Sequence, residues 1–213
     1  MTATTVGLIG AVAAYLVGSI PFGYLVSRVI LKSDIREHGS GNIGATNVAR
    51  VIGKKWGIFV LVLDCLKGLL PTLLIPRLFD TTAHYQVWLP VVCGIMSVVG
   101  HMFPVWLKLK GGKGVAAGLG VGFILSWQAT VAAIVVFLLV FAISRRTSVA
   151  SMIASITFCI TELTLRGSSA FNDQNHAVSL FAIAVPLLII IRHRSNIVRL
   201  LKKEEPRFGD PAS

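Results

Sequence analysis

Three short stretches of this sequence carry residues suited to binding phosphate. The first is SGNIGATNVAR at 40–50, the second is GGKG at 111–114, and the third is RHRSN at 192–196. Glycines let backbone N–H groups turn toward a ligand, small hydroxyl and amide side chains offer compact donors, and Arg and Lys supply positive charge. This combination indicates binding of a phosphate-bearing anion.

The first stretch is dense in small donors and ends in an arginine. Its proposed ligand-binding residues are Ser40, Gly41, Asn42, Thr46, Asn47 and Arg50. An alternative is a glycine-rich turn with an Asn or Thr cap for the next helix and an arginine at the membrane interface. The density of donors favours the anion site.

The second stretch places Lys113 between Gly112 and Gly114, directly before a predicted helix start. Backbone N–H groups and the positive end of the helix dipole favour phosphate at such a place. The Walker pattern requires a Ser or Thr after the lysine and a preceding strand, and this sequence has neither. A nucleotide-hydrolysing P-loop is therefore not indicated.

The third stretch contains His193 and Asn196, which share a face if the last helix continues through them. The alternative is a basic amphipathic tail lying on the membrane surface. An imidazole and an amide contribute little to such a tail, so a functional site is favoured. Ser148 in RRTSVAS is either a helix cap or a further phosphate donor.

Two further features are candidates for a supporting role. Asp64 and Lys67 lie three positions apart within an apolar run. Charged residues inside a membrane segment indicate a functional site by default, and mutual neutralisation of this pair is the alternative. His101 is either a base or a hydrogen-bonded core residue. The three cysteines lie in apolar segments without metal-ligand spacing, so no metal site is expected.

The elements that position these residues are membrane helices. The chain has 213 residues, 54% of them hydrophobic and 14% charged, with a mean hydropathy of +0.78. Soluble domains carry roughly 25% charged residues, so the composition indicates an integral membrane protein. The apolar runs are 6–30, 56–75, 86–107, 115–143, 148–165 and 177–191.

The run 115–143 is long for one crossing and is interrupted by SWQ. Basic residues concentrate in 31–55, 108–113 and 192–207, which the positive-inside rule places in the cytoplasm. Two short helices within 115–143 bring Arg145 and the basic C-terminus back to that side. The prediction is an all-α, single-domain bundle over residues 1–213 with about seven membrane segments.

In this topology the N-terminus lies outside, the C-terminus is cytoplasmic, and residues 200–213 form a short basic tail. The net charge of +11 follows from the basic helix ends, so nucleic acid is not an expected partner. All three polar stretches then lie on the cytoplasmic side.

The ordered motifs GSGNIGATNVAR, LDCLKG, GHMFPVWLKLKGGKGVA and RHRSNIVRL cover nearly the whole chain. They resemble the bacterial membrane acyl-phosphate:glycerol-3-phosphate acyltransferases, the PlsY family. The resemblance implies transfer of a fatty acyl group from acyl phosphate to the 1-hydroxyl of sn-glycerol 3-phosphate, giving lysophosphatidate and phosphate, without a cofactor. It also implies a multi-pass protein of the bacterial inner membrane with a cytoplasm-facing site. Membrane lipid and the soluble enzyme that produces acyl phosphate are further expected partners.

The same resemblance implies which residues surround the two phosphate-bearing substrates. These are Ser40, Arg50, Lys113, His193 and Asn196, with Asn42, Thr46, Gly112 and Ser148 as additions. We expect Ser40 and Lys113 to hold the leaving phosphate, Arg50 and His193 to hold glycerol 3-phosphate, and Asn196 to steady the developing oxyanion or the alcohol. No histidine of this sequence begins the H-x-x-x-x-D pattern of other acyltransferases, because none has the required Asp after it. A substrate phosphate oxygen is therefore the expected base.

Two other function classes account for the sequence less completely than the enzyme. A transporter of a phosphorylated anion needs polar residues along several helices, whereas here they concentrate on one face. A membrane scaffold for soluble lipid enzymes accounts for the basic surface but not for the clustered small donors.

Overall fold

The structure is a computed structural model that describes residues 3–79 and 83–209. Within these residues the chain is all-helical and has no strand. The α-helices are α1 Ala3–Gly18, α2 Phe22–Ile30, α3 Ala45–Val51, α4 Lys54–Leu74, α5 Ala83–Met102, α6 Val115–Leu125, α7 Trp127–Ser144, α8 Thr147–Arg166, α9 His176–Arg192 and α10 Arg194–Leu201. Short 3-10 turns occupy Ile35–Glu37, Ile75–Leu78, Val105–Leu107 and Gly167–Ser169.

The predicted polytopic helical membrane bundle is confirmed. In the described part, five segments are long and apolar enough to cross a membrane: Thr4–Ile30, Lys54–Leu78, Val87–Leu107, Trp127–Ser144 and Thr147–Ser169. The bent pair α9 and α10 makes a sixth, and α6 is a shorter apolar helix. Together they account for the predicted seven segments.

The first apolar run was expected to be one helix, but it is broken between α1 and α2. Pro21 precedes α2 and has no N–H to continue the helical hydrogen bonding of α1. The carbonyl of Ile20, freed by the break, accepts a hydrogen bond from Lys67 Nζ at 2.7 Å. A charged side chain of α4 therefore satisfies the broken end of α1.

The run 115–143 is divided at Ser126, within the predicted interruption. The prediction of two short helices holds for α6, which has 11 residues, but is wrong for α7, which has 18. At 1.5 Å per residue they span about 17 and 27 Å, so only α6 is short. The break is stabilised where Ser126 Oγ donates to the buried carboxylate of Glu162 on α8.

The beginnings of α6 and α8 lie at the same end of the bundle. Lys113, before α6, donates to Asn196, whose amide donates to Glu205, and Glu205 accepts from Ser148 on α8. The chain therefore leaves that end along α6 and returns along α7, as the predicted hairpin requires.

Close packing of α4 against α6 brings the second polar stretch beside Asp64. A Cβ on Gly68 would lie 2.2 Å from the carbonyl oxygen of Ala117, and a Cβ on Gly120 would lie 2.0 Å from that of Cys65. Only glycine permits this approach at both positions.

The last helix does not continue through the third stretch. It bends by 55° between α9 and α10, and His193 occupies the break. His193 and Asn196 both reach the site because of this bend. The uninterrupted helix that would have put them on one face is not present.

Candidate active site

A cavity of about 390 Å³ lies where α6 and α8 begin and α9 ends. All three polar stretches contribute to its lining. The predicted residues that line it are Ser40, Asn42, Thr46, Asn47, Arg50, Lys113, Gly114, Ser148, His193 and Asn196, together with Asp64 and His101. Gly41, Gly112 and Lys67 do not line it; Gly112 adjoins Lys113, and Lys67 pairs with Asp64.

The first stretch is organised by the buried amide of Asn47. Its Oδ1 accepts from the backbone N–H of Ser40 at 2.8 Å, and its Nδ2 donates to the carbonyls of Ile35, His38 and Asn42 at 3.2, 3.0 and 2.9 Å. These bonds occupy both polar atoms of the amide. Asn47 therefore shapes the loop.

Asn42 also has a local role, because its Oδ1 accepts from the backbone N–H of Gly44 at 2.8 Å. The turn interpretation thus holds for this part of the stretch. In contrast, the side chains of Ser40, Thr46 and Arg50 form no hydrogen bond or ion pair with the described residues. These three line the cavity with donors free for a ligand.

The second stretch is pressed against the end of α5. The N–H groups of Gly111 and Gly112 donate to the carbonyls of Met102 and His101 at 3.2 and 3.0 Å. A Cβ on Gly112 would lie 2.0 Å from His101 Nε2, so a larger residue does not fit. We call residues 111–114 the Lys113 loop.

The Lys113 loop is held on its carbonyl side by Arg192, the last residue of α9. Its guanidinium donates to the carbonyls of Gly111 at 3.1 Å and Gly112 at 3.1 and 3.2 Å, and it stacks over the Phe103 ring at 5.0 Å. The loop thus directs Lys113 into the cavity from a fixed backbone.

A network of side chains surrounds the ammonium group of Lys113. Its Nζ donates to Asn196 Oδ1 at 2.5 Å, and Asn196 Nδ2 donates to Glu205 Oε1 at 2.6 Å. Ser148 Oγ donates to the same carboxylate oxygen at 2.6 Å, and Arg199 Nε pairs with the other at 2.8 Å. Ser148 is therefore part of the cavity network and caps no helix.

Burial lowers the pKa of Lys113 to about 8; the Glu205 carboxylate opposes this effect, and the charges of Arg199, Arg192 and Arg50 add to it. Burial alone would raise the pKa of Glu205, but hydrogen bonds from Ser148, Asn196 and Arg199 outweigh it and lower that pKa. The excess positive charge around Lys113 favours binding of an anion beside it.

His193 lies at the bend between α9 and α10 and lines the cavity. Its Nδ1 lies 2.8 Å from the carbonyl oxygen of Ile189, which can only accept, so Nδ1 carries a proton. Nε2 is therefore the ring nitrogen that remains for a ligand.

The rest of the cavity wall is apolar and includes Ile58, Leu61, Val115, Ala116 and Phe137. A hydrocarbon chain can therefore lie against the same cavity that presents cationic and hydroxyl donors. No group of three or more His, Cys, Asp or Glu side chains suited to a metal ion occurs within residues 3–79 and 83–209.

Sequence inspection missed Glu205 as a member of the site. It lies in the segment expected to be a basic tail, yet it is 7% exposed and accepts from three side chains. The backbone bond from Phe208 N–H to the Arg145 carbonyl, at 2.6 Å, ties the same segment to the end of α7. The one feature of the sequence that marks Glu205 is the acidic pair Glu204 and Glu205 within an otherwise basic stretch.

The chain matches the family model described as glycerol-3-phosphate acyltransferase over residues 8–203. A glycerol-3-phosphate acyltransferase of Anaeromyxobacter sp. (strain K) is 44% identical to it, with 97% of this chain and 100% of the relative covered. A glycerol-3-phosphate acyltransferase of Myxococcus xanthus (strain DK1622) is 48% identical, and the match covers 91% of this chain and 95% of the relative. The chain belongs to this family.

Solved structures of another member extend the match to three dimensions. The glycerol 3-phosphate form of PlsY, an integral membrane glycerol 3-phosphate acyltransferase, superposes with a TM-score of 0.84 at 41% identity and covers 95% of this chain and 96% of its own. The lysophosphatidic acid form of PlsY superposes with a TM-score of 0.81 at 40% identity, and the match covers 95% of each chain. The resemblance to the PlsY family that the motifs indicate is confirmed.

Proposed function

We propose that the protein transfers a fatty acyl group from acyl phosphate to the 1-hydroxyl of sn-glycerol 3-phosphate. The hydroxyl oxygen forms a bond to the acyl carbonyl carbon, the bond from that carbon to the phosphate oxygen breaks, and phosphate leaves with the electron pair. The products are lysophosphatidate and inorganic phosphate. Membership of the glycerol-3-phosphate acyltransferase family supports the coarser assignment, acylation of glycerol 3-phosphate.

The observation that carries the proposal is that one cavity collects cations and free hydroxyl groups from separate parts of the chain. Lys113 lies before the N-terminus of α6, whereas Ser40, Thr46 and Arg50 enter from the first stretch. Two substrates that each bear a phosphate require a cation each, and Lys113 and Arg50 supply them. The apolar part of the wall is suited to the acyl chain.

We assign the leaving phosphate to Lys113 and Ser40, and the phosphate of glycerol 3-phosphate to Arg50. His193 Nε2 holds glycerol 3-phosphate through its 2-hydroxyl, which leaves the proton of the attacking 1-hydroxyl free for transfer. Asn196 holds Lys113 through Oδ1. We therefore assign Asn196 to placing the cation that stabilises the leaving group.

The proton of the attacking hydroxyl passes to a phosphate oxygen of a substrate. Acyl phosphate is a mixed anhydride with a good leaving group, so alignment and charge stabilisation supply most of what the reaction needs. Lys113 neutralises the charge that develops on the leaving phosphate. A strong protein base is not required for this step.

We place the protein in the bacterial inner membrane, with the N-terminus outside and the cavity facing the cytoplasm. The support is the basic charge at the cavity end, where Lys54, Lys113 and Arg199 line the cavity. A water-soluble glycerol 3-phosphate and an acyl phosphate delivered by a soluble enzyme both reach the site from that side.

The test is product formation by the protein purified in detergent. With acyl phosphate and glycerol 3-phosphate, we expect lysophosphatidate and phosphate in equal amounts, and acyl-CoA in place of acyl phosphate should give none. Lys113→Met should remove most turnover while the unfolding temperature stays near that of the wild type. Uptake of glycerol 3-phosphate into proteoliposomes without product would contradict the enzyme and support a transporter.

A further inference from the structure

A group of three buried polar side chains lies beneath the Lys113 loop, in the interior of the bundle. Asp64, Lys67 and His101 are 2, 3 and 3% exposed. Asp64 Oδ1 is 2.9 Å from Lys67 Nζ and 3.6 Å from His101 Nδ1. Asp64 and His101 border the cavity, but the assignment of substrate groups given above uses none of the three.

His101 contacts the loop directly. Its carbonyl oxygen accepts the N–H of Gly112 at 3.0 Å, and its ring closes the space that a Cβ on Gly112 would occupy, 2.0 Å from Nε2. The imidazole therefore lies against the backbone one residue before Lys113. A shift of this ring would move Gly112 and with it the ammonium of Lys113.

The orientation of His101 depends on α4. Asp64 faces Nδ1 of the ring, and Lys67 holds Asp64 while donating to the Ile20 carbonyl at the end of α1. The three side chains thus connect α4, α5 and the break after α1. The opposite side of the loop is held by Arg192, so the Gly112 peptide lies between two supports.

Stability gives a poor explanation for this group. Buried ion pairs recover little more than their desolvation cost, and apolar replacements are often no less stable. In the described part of the chain, Asp64 Oδ1 and His101 Nδ1 lack a hydrogen-bond partner of normal geometry. The arrangement is better suited to fixing one geometry than to strengthening the bundle.

We propose that His101, oriented by Asp64 and Lys67, is a positioning residue for Lys113 that acts through the Gly112 backbone. The inference rests on the proposed function, since it assigns Lys113 to the leaving phosphate of acyl phosphate. Its consequence is selective: loss of His101 weakens use of acyl phosphate and leaves the glycerol 3-phosphate contacts at Arg50 intact.

The test compares His101→Gln with Ser97→Ala. Ser97 is a matched control because it is fully buried on the same helix, one turn before His101, and faces α1. We expect His101→Gln to raise KM for acyl phosphate about tenfold and KM for glycerol 3-phosphate less than twofold. Ser97→Ala should change neither constant.

Coupling to Lys113 separates positioning from general damage. In a Lys113→Met background, His101→Gln should reduce kcat/KM by less than twofold, because the group that it positions is already absent. A reduction equal to that seen in the wild-type background would overturn the proposal. A rise in KM for glycerol 3-phosphate as large as that for acyl phosphate would also overturn it, because the effect would then not be confined to the phosphate that Lys113 holds.

A second variant guards against misfolding of the first. Asp64→Asn combined with Lys67→Met removes both charges of the pair and should reproduce the selective rise in KM for acyl phosphate. If His101→Gln does not fold, this double variant decides, and normal KM values in it would overturn the proposal.

A binding measurement separates this inference from the proposed reaction. Calorimetric titration of the purified protein with inorganic phosphate requires no turnover. Weaker phosphate binding in His101→Gln, with Ser97→Ala unchanged, supports the positioning role even if the wild type forms no lysophosphatidate. Wild-type turnover together with unaltered phosphate binding in the folded His101→Gln variant would overturn the positioning role alone.

Discussion

The ammonium of Lys113 donates a hydrogen bond to the side-chain oxygen of Asn196, 83 residues further along the chain. This contact joins the glycine-rich loop before α6 to the segment after the bend of α9. The cation is therefore placed by tertiary structure, since its own side chain is long and flexible. Its protonation state becomes a measurable property of the assembled site.

The first prediction concerns the pH dependence of catalysis. Because burial lowers the pKa of Lys113 to about 8, the free enzyme loses this positive charge as pH rises through 8. We expect kcat/KM for acyl phosphate to be constant below that pKa and to fall about tenfold per pH unit above it. Steady-state rates between pH 6.5 and 9.5 measure this directly.

Lys113→Arg provides the comparison for that profile. Guanidinium remains protonated throughout the range, so this variant should have lower activity but no alkaline decline. An identical decline in Lys113→Arg would assign the ionisation to another group.

The second prediction concerns Glu205 in the C-terminal segment. Glu205→Ala leaves the buried donors of Ser148 and Asn196 without their acceptor, and each lost partner costs about 1–3 kcal/mol. We expect a lower unfolding temperature in detergent and a large loss of turnover, because Asn196 no longer holds Lys113 in place. Thermal unfolding and product formation are measured on the same preparation.

Glu204→Ala is the matched control, since the neighbouring carboxylate is exposed. It should keep wild-type activity and unfolding temperature. Equal effects of the two substitutions would show that the segment tolerates no change, and would remove the specific role of the Glu205 carboxylate.

The approach of the three polar stretches was predictable from the sequence because charge imposes a topology. Basic helix ends require 115–143 to return to its starting side, which places 40–50, 111–114 and 192–196 together. Composition and motif order were sufficient for that step. The family followed from the same motifs.

Details within the site were not predictable, because they depend on contacts between distant segments. Donor type alone does not distinguish Asn47, whose amide is consumed by its own loop, from Ser40, whose hydroxyl stays free. The burial of Glu205 depends on its bond to Ser148 at the start of α8, 57 residues earlier in the chain, and the bend at His193 separates α9 from α10. A hydrophobicity pattern contains no information about such pairings.

The third prediction tests the space behind the Lys113 loop. Gly112→Ala places a methyl group 2.0 Å from His101 Nε2, so the loop must move away from α5. Misplacement of a catalytic group by about 1 Å lowers rates about a hundredfold. We expect a loss of that order in kcat/KM for acyl phosphate, measured at saturating glycerol 3-phosphate.

Gly118→Ala is its control on the first turns of α6. A Cβ there meets Ile189 and Val185 at 3.7 Å, which is ordinary contact. This variant should be active and, because alanine favours helix, no less stable than the wild type. Strong inactivation by Gly118→Ala would mean that α6 tolerates no added volume, and the specific constraint behind Gly112 would then lack support.

The fourth prediction concerns a polar cluster far from the cavity, at the break between α6 and α7. The carboxylate of Glu162, 1% exposed, accepts from Ser126 Oγ and Arg166 Nε. Glu162 lies about 20 Å along α8 from Ser148 at 1.5 Å per residue. The cluster should therefore contribute to stability and not to catalysis.

Glu162→Ala removes one partner of this ion pair and should lower the free energy of unfolding by about 3 kcal/mol. Below the unfolding transition, KM for both substrates should stay within twofold of wild type. The double variant Glu162→Leu/Arg166→Leu removes both charges and should recover part of the stability, because no unpaired charge remains. Denaturation in detergent and initial rates at low temperature measure the two effects separately. A selective change in KM for acyl phosphate would instead show that the α6 break is coupled to the position of Lys113 at the other end of that helix.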